Sequence, residues 1–302
     1  MKTIKNICLA YFLFSLLAFN NSYAQKDHSD NGDGTYTNPV IAADFPDPDV
    51  ILVDSVYYMV STTMFIFPGV TITKSYDLVN WEYCSNAVPR FDYSPCYDLD
   101  GCNRYRHGQW ATSLKYHNGK FHLLFITLDE GGFYLTADKA EGPWEIRHLP
   151  KGFYDAGLFF DDDGKIYVAH GYSKISITEV DSNLVAKSDD VLVYTGDIRN
   201  GLEGSHVYKI NGYYYLYCTY GGLDGFQVAL RSKNIYGPYE QEIVIRDTTF
   251  GTNFGIHQGA LIQTQTGEWP KPTFPRTRAT TSLAAKPKIR EPTVPRRLQK
   301  AP

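Results

Sequence analysis

Hydrophobic and polar positions alternate in short bursts along this chain, and most bursts open on a turn rich in Asp, Asn and Gly. A period of two over five to nine residues predicts half-buried β-strands, and no long segment carries the 3.6-residue period of an amphipathic helix. One unit recurs: a turn, an aromatic strand, a short connection, a second strand, then a Gly-Pro-aromatic-Glu turn. It reads NGKFHLLFI at 118–126 with EGPWE at 141–145, and NGYYYLYCT at 211–219 with YGPYE at 236–240. Looser copies are DSVYYMVST at 54–62 leading to DLVNWE at 77–82, DGKIYVAHG at 163–171, and a start at Gln265–Trp269. The turn glycines Gly119, Gly164, Gly212 and Gly267 lie 45, 48 and 55 residues apart. Units of that length, each with room for about four short strands, predict an all-β chain folded as a β-propeller. Five blades are expected over residues 33–269, the fifth incomplete. A β-sandwich is the alternative, but it would not repeat the same turn signals at this spacing.

Composition agrees, with 24 Tyr against 3 Met, a balance suited to half-buried strands and sugar-facing surfaces. At the start, Lys2 and Lys5 precede an apolar run from Ile7 to Phe19 and then Ser22-Tyr23-Ala24. This is the layout of a secretory signal, too short to span a bilayer. Cleavage after Ala24 is expected, giving an exported protein, periplasmic or extracellular, without stable membrane insertion. Four cysteines then remain, Cys84, Cys96, Cys102 and Cys218, and spacing alone leaves their pairing open. A Cys96–Cys102 bridge would contribute roughly 2 kcal/mol through loop closure. The absence of close Cys pairs with clustered histidines disfavours zinc.

Residues 270–302 differ in kind, with nine Lys/Arg against one acid and seven prolines. Removing their +8 from the net −4 leaves −12 for residues 1–269. Without interleaved aromatics the segment is not expected to bind nucleic acid. It reads as a disordered tether or as a non-native continuation, such as a shifted reading frame.

In a propeller, polar residues on the innermost strands converge from distant parts of the chain. Asp47, Asp155 and Glu203 occupy matching slots directly before a strand, Asp155 and Glu203 each about 8 to 10 residues ahead of its turn glycine and Asp47 at a like distance from the Asp54-Ser55 turn, and Trp110 fills the slot in the second repeat. Asp47 lies in Asp44-Phe45-Pro46-Asp47-Pro48-Asp49, where each proline directs the preceding residue toward extended backbone and makes a stiff mount. Three carboxylates in a partly dehydrated cleft repel one another, so one retains its proton near neutral pH. That pairing of acid and carboxylate is what glycoside hydrolysis requires. A calcium cage is the rival, weakened by the wide sequence spread of the acids.

The chain resembles glycoside hydrolase family 43, the five-bladed propeller enzymes that include β-xylosidases and α-L-arabinofuranosidases. The resemblance rests on Asn38-Pro39-Val40 with Asp44 to Val50, Phe67-Pro68-Gly69-Val70, Ser75 to Trp81, Gln109-Trp110-Ala111, Tyr154-Asp155-Ala156 and Glu203-Gly204-Ser205-His206, in order. It implies Asp47 as general base, Glu203 as general acid and Asp155 as the residue that orients the acid and raises its pKa. The family inverts configuration, so roughly 6.5 to 9.5 Å is expected between base and acid. It implies Trp110 as a wall of the sugar pocket, with Met64 and Phe67 beside it, and His257 as an axial histidine near a bound calcium or water. No cofactor is required, with calcium on the axis as an option. Met64 and Ile66 stand where many xylosidases of the family carry Phe and Trp, which blurs the substrate. The implied activity is exo-acting release of xylose or arabinose from plant cell-wall saccharides, β-xylosidase favoured. The alternative is a truncated, non-catalytic sugar-binding remnant.

Overall fold

The computed structural model describes residues 29–196, 201–221, 225–246 and 258–269. The expected signal segment at 1–24 and the basic tail at 270–302 lie outside them. The described residues fold into four antiparallel four-stranded sheets, each a meander in chain order. The first holds β1 (Asp49–Val53), β2 (Val56–Val60), β3 (Gly69–Ser75) and β4 (Trp81–Val88). The second holds β5 (Trp110–His117), β6 (Lys120–Thr127), β7 (Gly131–Ala137) and β8 (Glu145–His148). The third holds β9 (Gly157–Phe160), β10 (Ile166–His170), β11 (Lys174–Val180) and β12 (Val191–Thr195). The fourth holds β13 (Leu202–Ile210), β14 (Tyr213–Tyr220), β15 (Phe226–Ser232) and β16 (Glu240–Ile245).

These are the blades of a propeller, and the turn signals read from the sequence fall where one blade strand reverses into the next. Asn118-Gly119 and Asn211-Gly212 take the paired positive φ values of a tight hairpin, 49° and 80°, and 52° and 74°. The two Gly-Pro turns, at Gly142-Pro143 and Gly237-Pro238, both carry a cis peptide bond. Residues 258–269 form no named strand, although the Leu261 amide donates to the Tyr208 hydroxyl at 2.9 Å and Ile262 packs with Val50 and Tyr57 of the first blade. Four blades are therefore seen among the described residues.

The first strand of each blade lies innermost, and polar side chains stitch these strands together. The Leu114 amide on β5 donates to Asp49 of β1 at 2.8 Å, and the Leu158 amide on β9 donates to Ser113 of β5 at 3.1 Å. β9 and β13 touch so closely that a Cβ at Gly157 would stand 1.9 Å from the Ser205 carbonyl oxygen, an approach only glycine permits. Between the blades the core is continuous apolar packing, with Leu114, Leu123, Phe125 and Phe133 joining Val60 and Ile72 across the first two. Ring pairs such as Phe91–Phe133, at 4.9 Å and 72°, fill this seam. No helix among the described residues is long and apolar enough to cross a membrane.

Candidate active site

Asp47 and Asp155 hold the same place in their repeats, two residues ahead of β1 and β9, and both have φ of 52°. Left-handed backbone at a non-glycine residue is uncommon and needs support from its surroundings. For Asp47 this corrects the expectation of extended backbone before Pro48. The reason lies in the end of β2, where the Thr62 amide and the Ser61 hydroxyl donate to the Pro46 carbonyl at 3.0 and 2.6 Å. The Thr62 hydroxyl then donates to Asp47 Oδ2 at 2.7 Å. Tertiary hydrogen bonds thus override the local bias of the proline. At the matching slot, Gly171 donates to the Tyr154 carbonyl at 2.9 Å, and the close contact at Gly157 sets Asp155 against β13.

Glu203 enters from β13, whose pairing with β14 shifts register between Glu203 and His206. A bulge of this kind re-aims a side chain at the rim of a sheet. It also turns the Gly204 amide onto Asp155 Oδ2 at 2.6 Å. Gln258 donates to Asp155 Oδ1 at 3.3 Å, and the Tyr154 hydroxyl donates to Glu203 Oε2 at 3.3 Å. Residues separated by more than 150 positions are gathered here, as the slot spacing implies.

The electrostatics arise from burial and like charge. Burial, then the charges of Asp47 and Glu203, push the Asp155 carboxyl up to about 8, against smaller opposing effects of the Gly204 amide and Gln258. Glu203 is also raised, by burial first and by Asp47, while the Tyr154 hydroxyl pulls it down. Burial and the same acids hold the Tyr154 hydroxyl well above its usual range, so it remains a donor. The three carboxyls therefore do not all ionise at neutral pH.

Trp110 opens β5, partly exposed, with its indole N–H donating to the Arg106 carbonyl at 3.1 Å. Its slot is fixed by Gln109, which is fully buried. Gln109 Oε1 accepts from the Thr63 amide and hydroxyl at 2.8 and 2.7 Å, while Nε2 donates to the Ser61 carbonyl at 3.2 Å. Met64 is half-buried, and its carbonyl accepts from Gly108 at 3.0 Å. Phe67 is stacked on Phe91 at 4.9 Å and 4°, so its ring is engaged in packing beneath the turn. His257 lies outside the described residues.

Asp49, in the same proline-rich stretch as Asp47, has a role that spacing did not reveal. It is fully buried, with Oδ2 accepting from the Leu114 amide at 2.8 Å and from Lys115 at 2.9 Å. Burial alone would raise its pKa, but Lys115, His206 and the Leu114 amide together hold it well below the usual carboxylate range. His206 Nδ1 stands 3.3 Å from Asp49 Oδ1 without hydrogen-bond alignment, and its Nε2 is buried with no hydrogen-bond partner. Asp49 thus ties three inner strands together, and its place at the first residue of an apolar strand was the available signal. Gln109 precedes Trp110 and Gln258 succeeds His257 in the sequence, but nothing in their spacing showed that they orient neighbours.

Near this site the cysteine question resolves. Cys96 and Cys102 form a disulfide, while Cys84 and Cys218 are free. Among the described residues, no group of three or more His, Cys, Asp or Glu side chains is arranged to hold a metal ion.

The sequence profile of glycosyl hydrolases family 43 matches residues 36–271. A β-xylosidase of Formosa agariphila is 33% identical, the match covering 87% of this chain and 53% of that protein. A non-reducing end α-L-arabinofuranosidase of Bacteroides ovatus is 33% identical over 78% of this chain and 45% of its own length. Among solved structures, a bifunctional GH43-CE protein of Bacteroides eggerthii aligns with a TM-score of 0.70 and 36% identity, over 78% of this chain and 31% of that one. The chain spans about half the length of the curated relatives it matches. With a propeller fold, three converging carboxyls and this match in hand, the chain belongs to glycosyl hydrolases family 43.

Proposed function

We propose that this chain is an exo-acting, inverting glycosidase that releases xylose or arabinose from plant cell-wall saccharides such as xylan fragments, with β-xyloside the favoured substrate. The observation that carries this reading is the convergence of Asp47, Glu203 and Asp155 with a proton retained among them. Asp47, half-exposed and oriented by Thr62, is the general base that takes a proton from the attacking water. Glu203, half-buried and raised, is the general acid that protonates the leaving oxygen. Asp155 is the positioning residue. Its bond to the Gly204 amide fixes the backbone beside Glu203, and its burial limits the negative charge in the cleft. Trp110 offers an aromatic face to the sugar, with Met64 alongside.

The reading includes removal of residues 1–24, export, a catalytic domain over 33–269 and an incomplete fifth blade beside the four seen. No step here uses a cofactor. A calcium ion on the axis is a poor match to the described residues. Both His206 ring nitrogens are buried but one faces Asp49, Asp49 is already paired with Lys115, and calcium favours six to eight oxygens.

Purified protein should release 4-nitrophenol from the β-D-xylopyranoside faster than from the α-L-arabinofuranoside. Asp47→Asn and Glu203→Gln should each lower kcat by at least about a thousandfold, taking the two as essential base and acid. Turnover surviving both substitutions overturns the assignment. A second reading, a sugar-binding remnant without turnover, is favoured by the lack of any named strand in residues 258–269. Binding of xylo-oligosaccharide by a folded but inactive wild type would support it.

A further inference from the structure

Two loops meet beside the acids, and they hold aromatic rings out in solvent. The turn after β2 carries Phe65 and Ile66, 40% and 65% exposed, and the loop before β5 carries Tyr105, 64% exposed. The rings of Phe65 and Tyr105 face each other with centroids 5.2 Å apart and planes tilted by 54°. The second loop is also tied to the end of β6, where the Leu128 amide donates to the His107 carbonyl at 3.4 Å. Two exposed rings packed on each other present a contiguous apolar face, the kind of surface that binding sites use.

The pair is built on rigid supports. The Gly108 amide donates to the Met64 carbonyl at 3.0 Å, and the backbones approach so closely that a Cβ at Gly108 would stand 2.9 Å from that oxygen. Beneath the first loop, Phe67 stacks on Phe91 and meets Tyr97 edge-on at 5.4 Å and 88°. The second loop is closed by the Cys96–Cys102 disulfide and tied at Arg104 to Asp129 and Glu130, at 3.2 and 3.3 Å. Exposed rings on anchored loops form a preformed surface, which lowers the entropy lost on binding.

Its position selects the occupant. The first loop begins at Thr62, whose hydroxyl holds Asp47, and the second ends at Trp110. The sugar being cleaved sits against the acids. A surface one loop further out meets what projects beyond them, which for an exo-acting enzyme is the leaving group. Two flat, uncharged faces suit the C–H faces of a neutral pyranose.

We propose that Phe65 and Tyr105 form a specificity platform for the first sugar unit on the leaving-group side of the scissile bond. The inference rests on the glycosidase reading above. It is tested by comparing β-D-xylosyl fluoride, which has no leaving-group sugar, with xylotriose. Phe65→Ala and Tyr105→Ala should each raise KM for xylotriose roughly tenfold, as loss of one aromatic contact of about 1.4 kcal/mol implies. Both should leave kcat/KM for the fluoride within about twofold, and Tyr105→Phe, which keeps the ring, should behave as wild type. Equal losses on both substrates, or no change on xylotriose, would overturn the platform. Should wild type turn over neither substrate, the glycosidase reading fails alone. The platform is then judged by fluorescence titration with xylohexaose, where binding lost in Phe65→Ala/Tyr105→Ala supports it and an unchanged titration overturns it.

Discussion

The Gly204 amide donates a 2.6 Å hydrogen bond to Asp155 Oδ2, so the residue next to Glu203 is held by a carboxyl that arrives from another blade. This bond links two inner strands at the level of the candidate chemistry. It also makes the protonation state of Asp155 a property of the whole site.

Burial and like charge raise Asp155 to about 8 in the fold, against 3.8 for a free aspartate. A group raised on folding stabilises the fold most below its unfolded pKa, and that contribution is lost as pH climbs through the folded value. Wild type should therefore lose stability between about pH 4 and 8 through this residue. Asp155→Asn, neutral throughout, should show a smaller fall in Tm over the window, by roughly 3 °C or more. Thermal melts of both proteins at pH 5, 7 and 9 check the sign. Activity of Asp155→Asn should drop at all three values, because the amide reproduces the size of the carboxyl but not its acceptor pair for Gly204 and Gln258.

Asp49 gives the opposite sign. Its carboxyl is depressed in the fold, so its contribution is present above the unfolded pKa and is lost as pH falls toward the folded one. Asp49→Asn leaves Lys115, only 16% exposed in its side chain, without its buried partner. A loss of about 3 kcal/mol is expected near neutral pH. Urea unfolding at pH 7 and pH 3 should show the gap between variant and wild type narrowing in acid.

Gly157→Ala should be among the most damaging single-methyl changes in the chain. The added Cβ meets the Ser205 carbonyl oxygen at 1.9 Å, and backbone cannot yield as a flexible side chain would. Separation of β9 from β13 should cost about 3 kcal/mol or more and misplace Asp155 relative to Glu203. Tm and kcat should fall together, and a variant with wild-type values of both would contradict the close approach.

Thr62→Val keeps the side-chain volume and removes the hydroxyl that holds Asp47 Oδ2 at 2.7 Å. One charge-assisted bond of this kind contributes about 1.5 kcal/mol or more, so kcat should fall roughly tenfold with KM little changed. A change confined to KM would assign Thr62 to binding.

Much of this was legible from the chain because propeller blades advertise themselves locally. The Asn-Gly turns at 118 and 211 need two left-handed residues, and the structure places hairpins there. Counting back from those two turns found Trp110 and Glu203, the Asp163-Gly164 turn found Asp155 and the Asp54-Ser55 turn found Asp47, since each slot is defined by its distance to a local signal. What stayed hidden depends on contacts between blades. Asp49 reads as one more acid in a proline-rich stretch until Lys115 and His206 are brought to it. The backbone of Asp47 could not be read from its prolines, because the bonds that bend it come from Ser61 and Thr62. Phe67 is read from the sequence as a neighbour of Trp110 in the pocket, and its stacking on Phe91 is a contact the sequence does not display.

Asp47 and Asp155 are the same amino acid in the same slot with the same φ of 52°, yet one is half-exposed and the other buried. The difference lies in the two residues after each acid. Pro48-Asp49 leads into a strand joined to its neighbour through the Asp49 carboxylate, Lys115 and the Leu114 amide, whereas Ala156-Gly157 lets the next blade press directly against the backbone. A repeated scaffold thus obtains two chemically distinct acids from one design, one open to water and one enclosed by the next blade.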